Sequence, residues 1–270
     1  MRWLWLPLLL AIGCIFWLDR PSAAMSESQQ LMLMLQQSAD RLPADLLRHN
    51  RAGVLTMNTT GDTISEMDIA AALLNSKDDQ ARPFMWQDTN GRPAIISAQG
   101  IDAEHHFANS YLVGAHPFRI DNPALPLYFL SKRKVYQYDQ QQYRRGDVWQ
   151  NSAQAWVHLR GDCEDHAMIL ADWLQAEGFD ARVVLGSYRG EGHAWVVAFL
   201  QGQVYLLEAT DKQAGKSWQH LPLAALAKDY HAEFMFNRDQ FWVRKAQAPQ
   251  LEYQSAHWLE TARFHTPDPE

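Results

Sequence analysis

Three short strings of the chain hold the residue types that thiol chemistry needs. Cys163 stands in Asp-Cys-Glu-Asp, His193 in Gly-His-Ala-Trp and Glu208 in Leu-Glu-Ala-Thr. A thiol, an imidazole and a carboxylate can serve as the nucleophile, the base and the orienting group of an acyl-transfer enzyme. Most cysteines are buried structural residues, but the acidic neighbours of Cys163 are too polar for a core position. We therefore take these three residues as catalytic candidates.

A helix is expected to present the thiol. Asp162 is a suitable N-cap, an apolar stripe follows it, and Gly178 is a natural stop, so the pattern predicts a helix from about Cys163 to Glu177. Helix N-termini carry unpaired N–H groups and a partial positive charge. Both would favour the thiolate form of a cysteine in the first turn.

A β-hairpin is expected to present the other two residues. Strands are predicted over 181–187, 193–200 and 203–209, with a loop at 190–192. Gln201-Gly202, between the last two strands, is typical of a short hairpin turn.

The hairpin turn also predicts the register. If Leu200 faces Gln203, Trp195 faces Glu208, and His193 is the diagonal neighbour of Glu208 on the same face. A glutamate side chain can span that diagonal and orient the imidazole. The opposite face suits packing against the cysteine helix, and it carries Ala194, Val196, Ala198 and Leu207.

Three strings together resemble the core of the bacterial transglutaminase-like superfamily. They are Gly-Asp-Cys-Glu-Asp at 161–165, Gly-His-Ala-Trp-Val at 192–196 and Tyr-Leu-Leu-Glu-Ala-Thr at 205–210. Each string alone is weak, whereas the combination is specific. The resemblance covers about residues 123–218 and implies a papain-like fold.

The resemblance also implies roles for individual residues. It makes Cys163 the nucleophile, His193 the base and Glu208 the orienting carboxylate. The family usually has Asp at the third place, so Asp211 remains an alternative to Glu208. Trp149 stands where these proteins often carry a tryptophan, and it is a candidate for binding the oxyanion or the substrate.

The acids around Cys163 raise the question of a metal ion. The string Asp-Cys-Glu-Asp resembles periplasmic calcium-dependent cysteine proteases that cleave bacterial surface adhesins, which implies a calcium ion on Asp162, Glu164 and Asp165. A cation would offset carboxylates that otherwise disfavour a thiolate. Acids in a first helical turn also complement the helix dipole without a metal. The triad itself requires no cofactor, and calcium stays open.

Two further histidine patterns could suggest metals. Cys163 and His166 have a C-x-x-H spacing, but no second pair of ligands is evident. His105-His106 lacks a third ligand at a sensible spacing. Histidines that are exposed or satisfied by hydrogen bonds explain this pair more simply.

The N-terminus predicts export. One arginine precedes an apolar run over 3–18, and Pro-Ser-Ala-Ala ends at residue 24. A cleaved signal peptide fits best, an uncleaved membrane anchor is the next choice, and a lipoprotein signal at Cys14 is the third. We expect a protein that is periplasmic or anchored in the inner membrane facing the periplasm.

Composition excludes several classes of protein. The chain has 270 residues, a formal net charge of -7 and 2 cysteines. A disulfide scaffold and a basic surface for nucleic acid are therefore not expected. Cys163 would be the only cysteine left after cleavage at residue 24.

The predicted fold class is α+β, with a papain-like/transglutaminase-like core in which the cysteine helix packs on an antiparallel sheet. We divide the chain into four parts: 1–24, a signal peptide or membrane anchor; 25–120, an N-terminal α/β region of unnamed role; 121–218, the transglutaminase-like core; and 219–270, a C-terminal extension that packs on the core. Aromatic residues of the last part either line a substrate groove or cover the sheet.

The predicted function is acyl transfer on a peptide or carboxamide by an exported thiol enzyme. Hydrolysis by a cysteine peptidase or amidase is favoured over protein cross-linking by a transglutaminase, because an exported enzyme meets water at high concentration. A non-catalytic binding module on the same fold is the rival hypothesis. The expected partner is a protein or peptide substrate, with a membrane tether through 3–18 left open.

Overall fold

The computed structural model describes residues 29, 33, 42–74, 82–120, 122–212 and 221–266. The chain divides into two compact units, Met1–Asp40 and Arg41–Glu270. In the first unit the two described residues, Gln29 and Leu33, are helical. All the strands and helices given below belong to the second unit.

The export prediction concerns residues 1–24, including Cys14. These residues lie outside the described part of the chain, so export stays a prediction. Among the helices of the described residues, none combines the length and the apolar character needed to cross a membrane.

The described residues form strands along most of the second unit. In chain order they are β1 (Val54–Met57), β2 (Thr63–Ser65), β3 (Phe84–Gln87), β4 (Pro93–Gln99), β5 (His105–Phe107), β6 (Val135–Tyr136), β7 (Arg160–Gly161), β8 (Asp180–Tyr188), β9 (Glu191–Leu200), β10 (Gln203–Leu207), β11 (Tyr230–Phe236), β12 (Gln240–Arg244) and β13 (Trp258–His265). The α-helices among these residues are α1 (Glu66–Leu74), α2 (Ala124–Arg133), α3 (Asp139–Gln142), α4 (Ser152–Val157) and α5 (Cys163–Ala176).

One large sheet organises the fold. Its eight strands lie in the order β10-β9-β8-β11-β12-β13-β1-β2, and neighbouring strands are antiparallel. A smaller sheet has the order β3-β4-β5, and β6 pairs with β7 in parallel. The strands from 219–270 therefore lie within the same sheet as the predicted hairpin.

The cysteine helix α5 has the predicted bounds. Asp162 is its N-cap residue, although the side chain of Asp162 donates or accepts no capping hydrogen bond. Gly178 follows the C-cap with a φ of 86°, a left-handed conformation that favours glycine. The prediction of a helix from about Cys163 to Glu177 is therefore confirmed, while the expected capping contact is absent.

The hairpin β9–β10 has the predicted register. Leu200 pairs with Gln203, and the ladder runs to Val196 opposite Leu207. Glu208 is the first residue beyond the ladder, so β10 ends two residues before the predicted limit at 209.

The turn between β8 and β9 is shorter than the predicted loop, whereas the turn between β9 and β10 has the predicted length. Arg189 and Gly190 connect β8 to β9 with φ of 53° and 89°, and Gln201 and Gly202 connect β9 to β10 with φ of 50° and 76°. Positive φ at both positions is what a two-residue type I′ turn requires. The predicted loop at 190–192 is therefore wrong for Glu191 and Gly192, which belong to β9.

Both faces of this sheet region are covered. Helix α5 packs against β8 and β9, and four residues of the predicted inner face are buried: Ala194, Val196, Ala198 and Leu207. A second cluster joins residues of β9 and β10 to the C-terminal aromatics, and it contains Trp195, Val197, Leu206, Met235, Trp242, Tyr253 and Trp258. The α+β prediction is confirmed, with the cysteine helix packed on an antiparallel sheet.

Candidate active site

The predicted nucleophile and base meet in one cleft. Cys163 is the first residue of α5, and His193 is the third residue of β9. Both line a cleft of about 400 Å³. The sulfur of Cys163 is half-buried, and it donates to Glu164 Oε2 at 3.4 Å.

Glu208 holds the imidazole of His193. The distance from His193 Nε2 to Glu208 Oε2 is 2.8 Å. The other ring nitrogen, Nδ1, is left for Cys163, whose thiol is a hydrogen-bond partner of this imidazole. The carboxylate thus orients the ring toward the sulfur, as a nucleophile, base and orienter arrangement requires.

Both oxygens of Glu208 are fixed by further donors. The amide and the hydroxyl of Thr210 donate to Oε1 at 3.0 and 2.6 Å. The hydroxyl of Tyr230 donates to Oε2 at 2.8 Å. Asp211, the alternative third member, has an exposed side chain. The geometry therefore gives the orienting position to Glu208.

Aromatic rings enclose the imidazole. The ring of Trp195 stacks on His193 at 6.1 Å with an interplanar angle of 22°. The ring centroids of Tyr188 and Tyr230 lie 5.7 and 6.2 Å from that of His193, and 4.5 Å from each other. These rings restrict the rotation of His193 and favour a cation at its position.

The charge state of the pair follows from these contacts. Burial disfavours the charged imidazole, but the hydrogen bonds with Cys163 and Glu208 outweigh burial and raise the pKa of His193 to about 9. Burial also opposes ionisation of Glu208, yet His193 and Thr210 bring the pKa of Glu208 below its ordinary value. At neutral pH a positively charged imidazolium therefore lies beside the sulfur of Cys163.

Trp149 lies in the wall of the cleft. Its backbone N–H donates to Gln99 O at 2.9 Å, and its side chain is hydrogen-bonded to Asp147. Neither N–H group is left to bind an oxyanion in this arrangement. The expected role of Trp149 as an oxyanion donor is thus not supported by the geometry, whereas contact with the substrate remains a prediction.

His166 does not pair with Cys163 in a metal site. Its Nδ1 donates to Asp162 O at 2.6 Å, and its Nε2 accepts from Lys212 Nζ at 3.2 Å. Burial and the nearby Lys134 and Lys212 lower the pKa of His166 to about 2, so the ring is neutral. His166 instead fixes the carbonyl group that immediately precedes the nucleophile.

The acids around Cys163 form a cluster that extends beyond the predicted three. Ligand oxygens of Asp162, Glu164, Asp165 and Asp139 lie within 4.8 Å of one another. We call these four residues the acidic cluster. Asp139 comes from α3, and its Oδ2 accepts a short hydrogen bond from the amide of Val148.

Burial raises the proton affinity of three members of the acidic cluster, Asp139, Glu164 and Asp165. It is the largest cause in each case, with Asp162 the next, and it raises the pKa of Asp139 to about 8. The same two causes raise the pKa of the adjacent Asp147 to about 7 and hold the pKa values of Glu164 and Asp165 well above the ordinary range.

The acidic cluster has the properties of a cation site. One carboxylate oxygen of each member is buried and has no hydrogen-bond partner, namely Asp139 Oδ1, Asp162 Oδ1, Glu164 Oε1 and Asp165 Oδ2. The ion pairs among the described residues include none of the four. Buried carboxylates without partners are costly, and carboxylate oxygens are the ligands that Ca²⁺ prefers. The residues therefore fit a calcium ion.

The His105-His106 pair has partners. Both residues are buried, and His106 Nε2 lies 3.0 Å from Asp102 Oδ2 while Nδ1 lies 3.5 Å from Glu66 Oε2. Burial is outweighed by these two carboxylates, which raise the pKa of His106 to about 9. Asp102, Glu104 and His106 also lie close enough to hold an ion, but a charged histidine between two carboxylates already satisfies the group.

Sequence reasoning missed several residues of the site. Asp139 and Asp147 lie far before the motif, and no spacing linked them to it. Tyr188 and Tyr230 belong to strands whose adjacency in the sheet was not foreseen. Thr210 could have been found from the sequence, because it lies two residues after Glu208 and the predicted register therefore places it on the same face as Glu208 and His193.

Residues 147–260 match the family model of the CEP76 peptidase-like domain. This part of the chain resembles a peptidase domain. The matched range contains Cys163, His193 and Glu208, together with strands β8 to β12. Among curated proteins, none matches the chain significantly.

Solved structures of LapG from Legionella pneumophila are also similar. The EGTA-treated form is 18% identical, with 47% of this chain and 68% of that chain covered and a TM-score of 0.38. The calcium-bound form is 18% identical, with 47% and 71% covered and a TM-score of 0.37.

Proposed function

We propose that this chain is an exported thiol hydrolase, a cysteine peptidase or amidase, that cleaves a peptide or carboxamide bond through Cys163, His193 and Glu208. The observation that supports it best is the placement of His193, whose Nε2 lies 2.8 Å from Glu208 while the thiol of Cys163 is its other partner. The match of residues 147–260 to a peptidase-like domain agrees with this chemistry.

The proposed reaction uses these residues in two half-reactions. The thiolate of Cys163 attacks the carbonyl carbon while the imidazolium of His193 donates its proton to the departing amine. The first N–H groups of α5 face the developing oxyanion. His193, now neutral, then takes a proton from water, which attacks the thioester and releases the acid. Glu208 stays ionised throughout and orients the ring.

Water is the proposed acceptor in the second half-reaction. An amine could attack the same thioester, in which case the product would be a cross-link. Mass analysis of the products decides between the two. Hydrolysis gives two shorter fragments whose masses sum to the substrate plus water, whereas amine addition gives an adduct.

Export is part of the proposal because of the apolar run over 3–18 and the small residues up to 24. Cell fractionation, with N-terminal sequencing of the recovered protein, tests it. A new N-terminus after Ala24 supports a cleaved signal, and recovery of the intact chain in the membrane fraction supports an anchor. Recovery of intact protein in the cytoplasmic fraction would contradict export.

The catalytic assignment is tested with an activity-based thiol probe and a peptide substrate pool. We expect the wild-type protein to be labelled and to cleave peptides, and we expect Cys163→Ala to do neither. Cys163→Ser is the matched variant that replaces the thiol by a hydroxyl of similar size. Peptide cleavage that persists in Cys163→Ala would overturn the assignment, and labelling without any cleavage would favour the non-catalytic binding module.

We extend the proposal to a calcium ion at the acidic cluster, because four buried oxygens there have no partner. When bound, the ion would offset the negative charge beside the thiolate. The protein's own part is to hold Asp139 and Asp165 in place through the amides of Val148 and Gln150. The backbone of the loop before α4 therefore holds two of the four carboxylates in position without an ion.

Calcium is expected to raise the melting temperature of chelator-treated protein. The rise should be larger at about pH 8 than at about pH 5.5, because carboxylates with raised pKa values must lose protons before they bind a cation. Magnesium should have little effect, since it prefers a smaller octahedral site with water ligands.

Terbium luminescence on the wild-type protein measures occupancy directly. Asp139→Asn should weaken binding, whereas the exposed Asp239→Asn should not. Equal melting temperatures with and without calcium at both pH values, together with no terbium binding, would contradict the calcium site.

A further inference from the structure

A β-bulge lies beside the candidate catalytic cleft. Strand β11 pairs with β8 through Ala232 opposite Gly186 and Phe234 opposite Leu185, so Glu233 is the extra residue that has no partner in the ladder. β11 is an internal strand, between β8 and β12. The bulge therefore gives up pairing inside the sheet in order to place one side chain, as bulges beside active sites often do.

The bulge directs Glu233 into the cleft. Glu233 is exposed between the buried Ala232 and the half-buried Phe234, and it lines the cleft together with Cys163 and His193. The opposite strand accommodates the bulge through Gly186, because a Cβ there would come within 2.1 Å of His231 O.

The sheet sets the distance from Glu233 to the reacting groups. Gly186 pairs with His193 on one side and with Ala232 on the other. Two strand spacings therefore separate His193 from the bulge, about 10 Å at the backbone. An extended peptide covers this distance in about three residues, at about 3.3 Å per residue.

Glu233 is an acidic residue of the cleft that lies outside the acidic cluster. The remaining acids of the lining are Asp147, Asp162 and Glu164, which belong to the acidic cluster or adjoin it. Among the described residues that line the cleft, none is a lysine or an arginine. A nearby arginine, Arg244, donates to Ala232 O and Ala248 O instead. The carboxylate of Glu233 thus has no basic partner from these residues.

We propose that Glu233 is a specificity-determining residue that binds a cationic group of the substrate, a lysine or arginine side chain, within three residues of the cleaved bond. This inference rests on the proposed hydrolase function. A charged side chain that lines a cleft prefers a substrate group of opposite charge and disfavours one of like charge. The substrate class is therefore a basic peptide segment, and acidic segments are disfavoured.

The first test is cleavage of a synthetic peptide library, with calcium present, read by mass spectrometry. We expect lysine or arginine to be enriched about fivefold within three residues of the cleaved bond, the size of one exposed ion pair. Glu233→Gln should abolish the enrichment, and Glu233→Lys should shift it to acidic residues. The control Glu252→Gln removes an exposed carboxylate that does not line the cleft, and it should keep the wild-type pattern.

The outcomes separate the two proposals. Cleavage that depends on Cys163 but shows no basic preference, or a preference that survives in Glu233→Gln, overturns the role of Glu233 and leaves the hydrolase intact. Absence of any cleavage that depends on Cys163 overturns the proposed hydrolase.

A second test needs no substrate. The thiol of Cys163 is modified with a cationic and an anionic methanethiosulfonate of similar size, at saturating calcium. The ratio of the two rates should favour the cation and should fall about threefold in Glu233→Gln but not in Glu252→Gln. An unchanged ratio in Glu233→Gln would contradict the proposal even if no peptide is cleaved.

Discussion

Glu208 occupies a position where the resembling family usually has an aspartate, and its neighbours compensate for the longer side chain. A glutamate has one more rotatable bond, so it needs more contacts to hold one geometry. Thr210 binds one oxygen, while Tyr230 and His193 share the other. These four hydrogen bonds hold the carboxylate of Glu208 in one orientation.

The charge of Glu208 should matter more than its shape. Glu208→Gln keeps the size but removes the negative charge that stabilises the imidazolium, so we expect peptide turnover to fall about 100-fold. Steady-state kinetics measures the loss in kcat. Asp211→Asn, which alters the alternative third member, should retain turnover. Loss of activity in Asp211→Asn with retention in Glu208→Gln would reverse the assignment.

The pKa of His193 predicts how stability depends on pH. A histidine whose pKa rises from about 6.5 unfolded to about 9 folded stabilises the folded state fully below about pH 6.5. That contribution is lost as the pH rises through about 9. The difference in unfolding free energy between wild type and His193→Gln should therefore be largest at about pH 6 and shrink by about pH 9.5. Urea titrations at both pH values measure it, and a difference that grows with pH would contradict the ion pair.

At the scale of elements, the two ends of α5 have different roles. Its first turn presents Cys163, and its last turn ends at the left-handed Gly178. The two ends are about 20 Å apart at 1.5 Å per residue. A change at the C-terminal end should thus affect the stability of the helix without touching the thiol.

Gly178→Ala tests this separation. No heavy atom lies within 4 Å of a Cβ built at Gly178, so the cost arises from the φ of 86° alone. We expect a loss of about 1 kcal/mol in unfolding free energy, and a smaller loss for Gly178→Asn, because asparagine tolerates this conformation better. Urea unfolding measures both variants. Labelling of Cys163 should be unchanged, and a slowed labelling rate in folded Gly178→Ala would contradict the separation.

At the scale of the whole molecule, the buried Asp172 connects α5 to segments far along the chain. Its Oδ2 accepts from the amides of Gly114 and Ala115 at 2.7 and 2.8 Å and from the hydroxyl of Ser152. Its Oδ1 accepts from Arg238 Nε at 2.5 Å. One carboxylate thus ties residues from three other parts of the sequence to the cysteine helix.

Asp172→Asn should be strongly destabilising. The amide keeps the shape but leaves the guanidinium of Arg238 without its counter-charge, and breaking a buried pair costs about 3 kcal/mol. Asp239→Asn is the matched control, because Asp239 forms an exposed pair with Arg51 and should change stability by less than about 1 kcal/mol. Chemical denaturation compares the two variants. Equal losses would show that Asp172 is not a connection of this kind.

Much of the candidate site could be predicted because it depends on local rules. The end of α5 follows from Gly178, whereas Asp162 stands at its start without the capping hydrogen bond expected of it. The register of β9–β10 follows from the turn at Gln201-Gly202. Together these patterns place Cys163, His193 and Glu208. The start of β9 was predicted two residues late. Arg189 adopts a positive φ in the turn before β9, and a non-glycine residue gives no sequence signal for that conformation.

The chain's local patterns therefore determined the chemistry: a thiol at a helix start and a histidine and carboxylate on one face of a hairpin. Tertiary structure alone decided the partners: Asp139 at the acidic cluster, Tyr230 on Glu208 and Glu233 in the cleft. Periodicity and caps report only on residues within a few positions of one another. Contacts between distant segments depend on which strands become neighbours in the sheet. The position of β11 beside β8 depends on the packing of the whole chain and not on any local pattern.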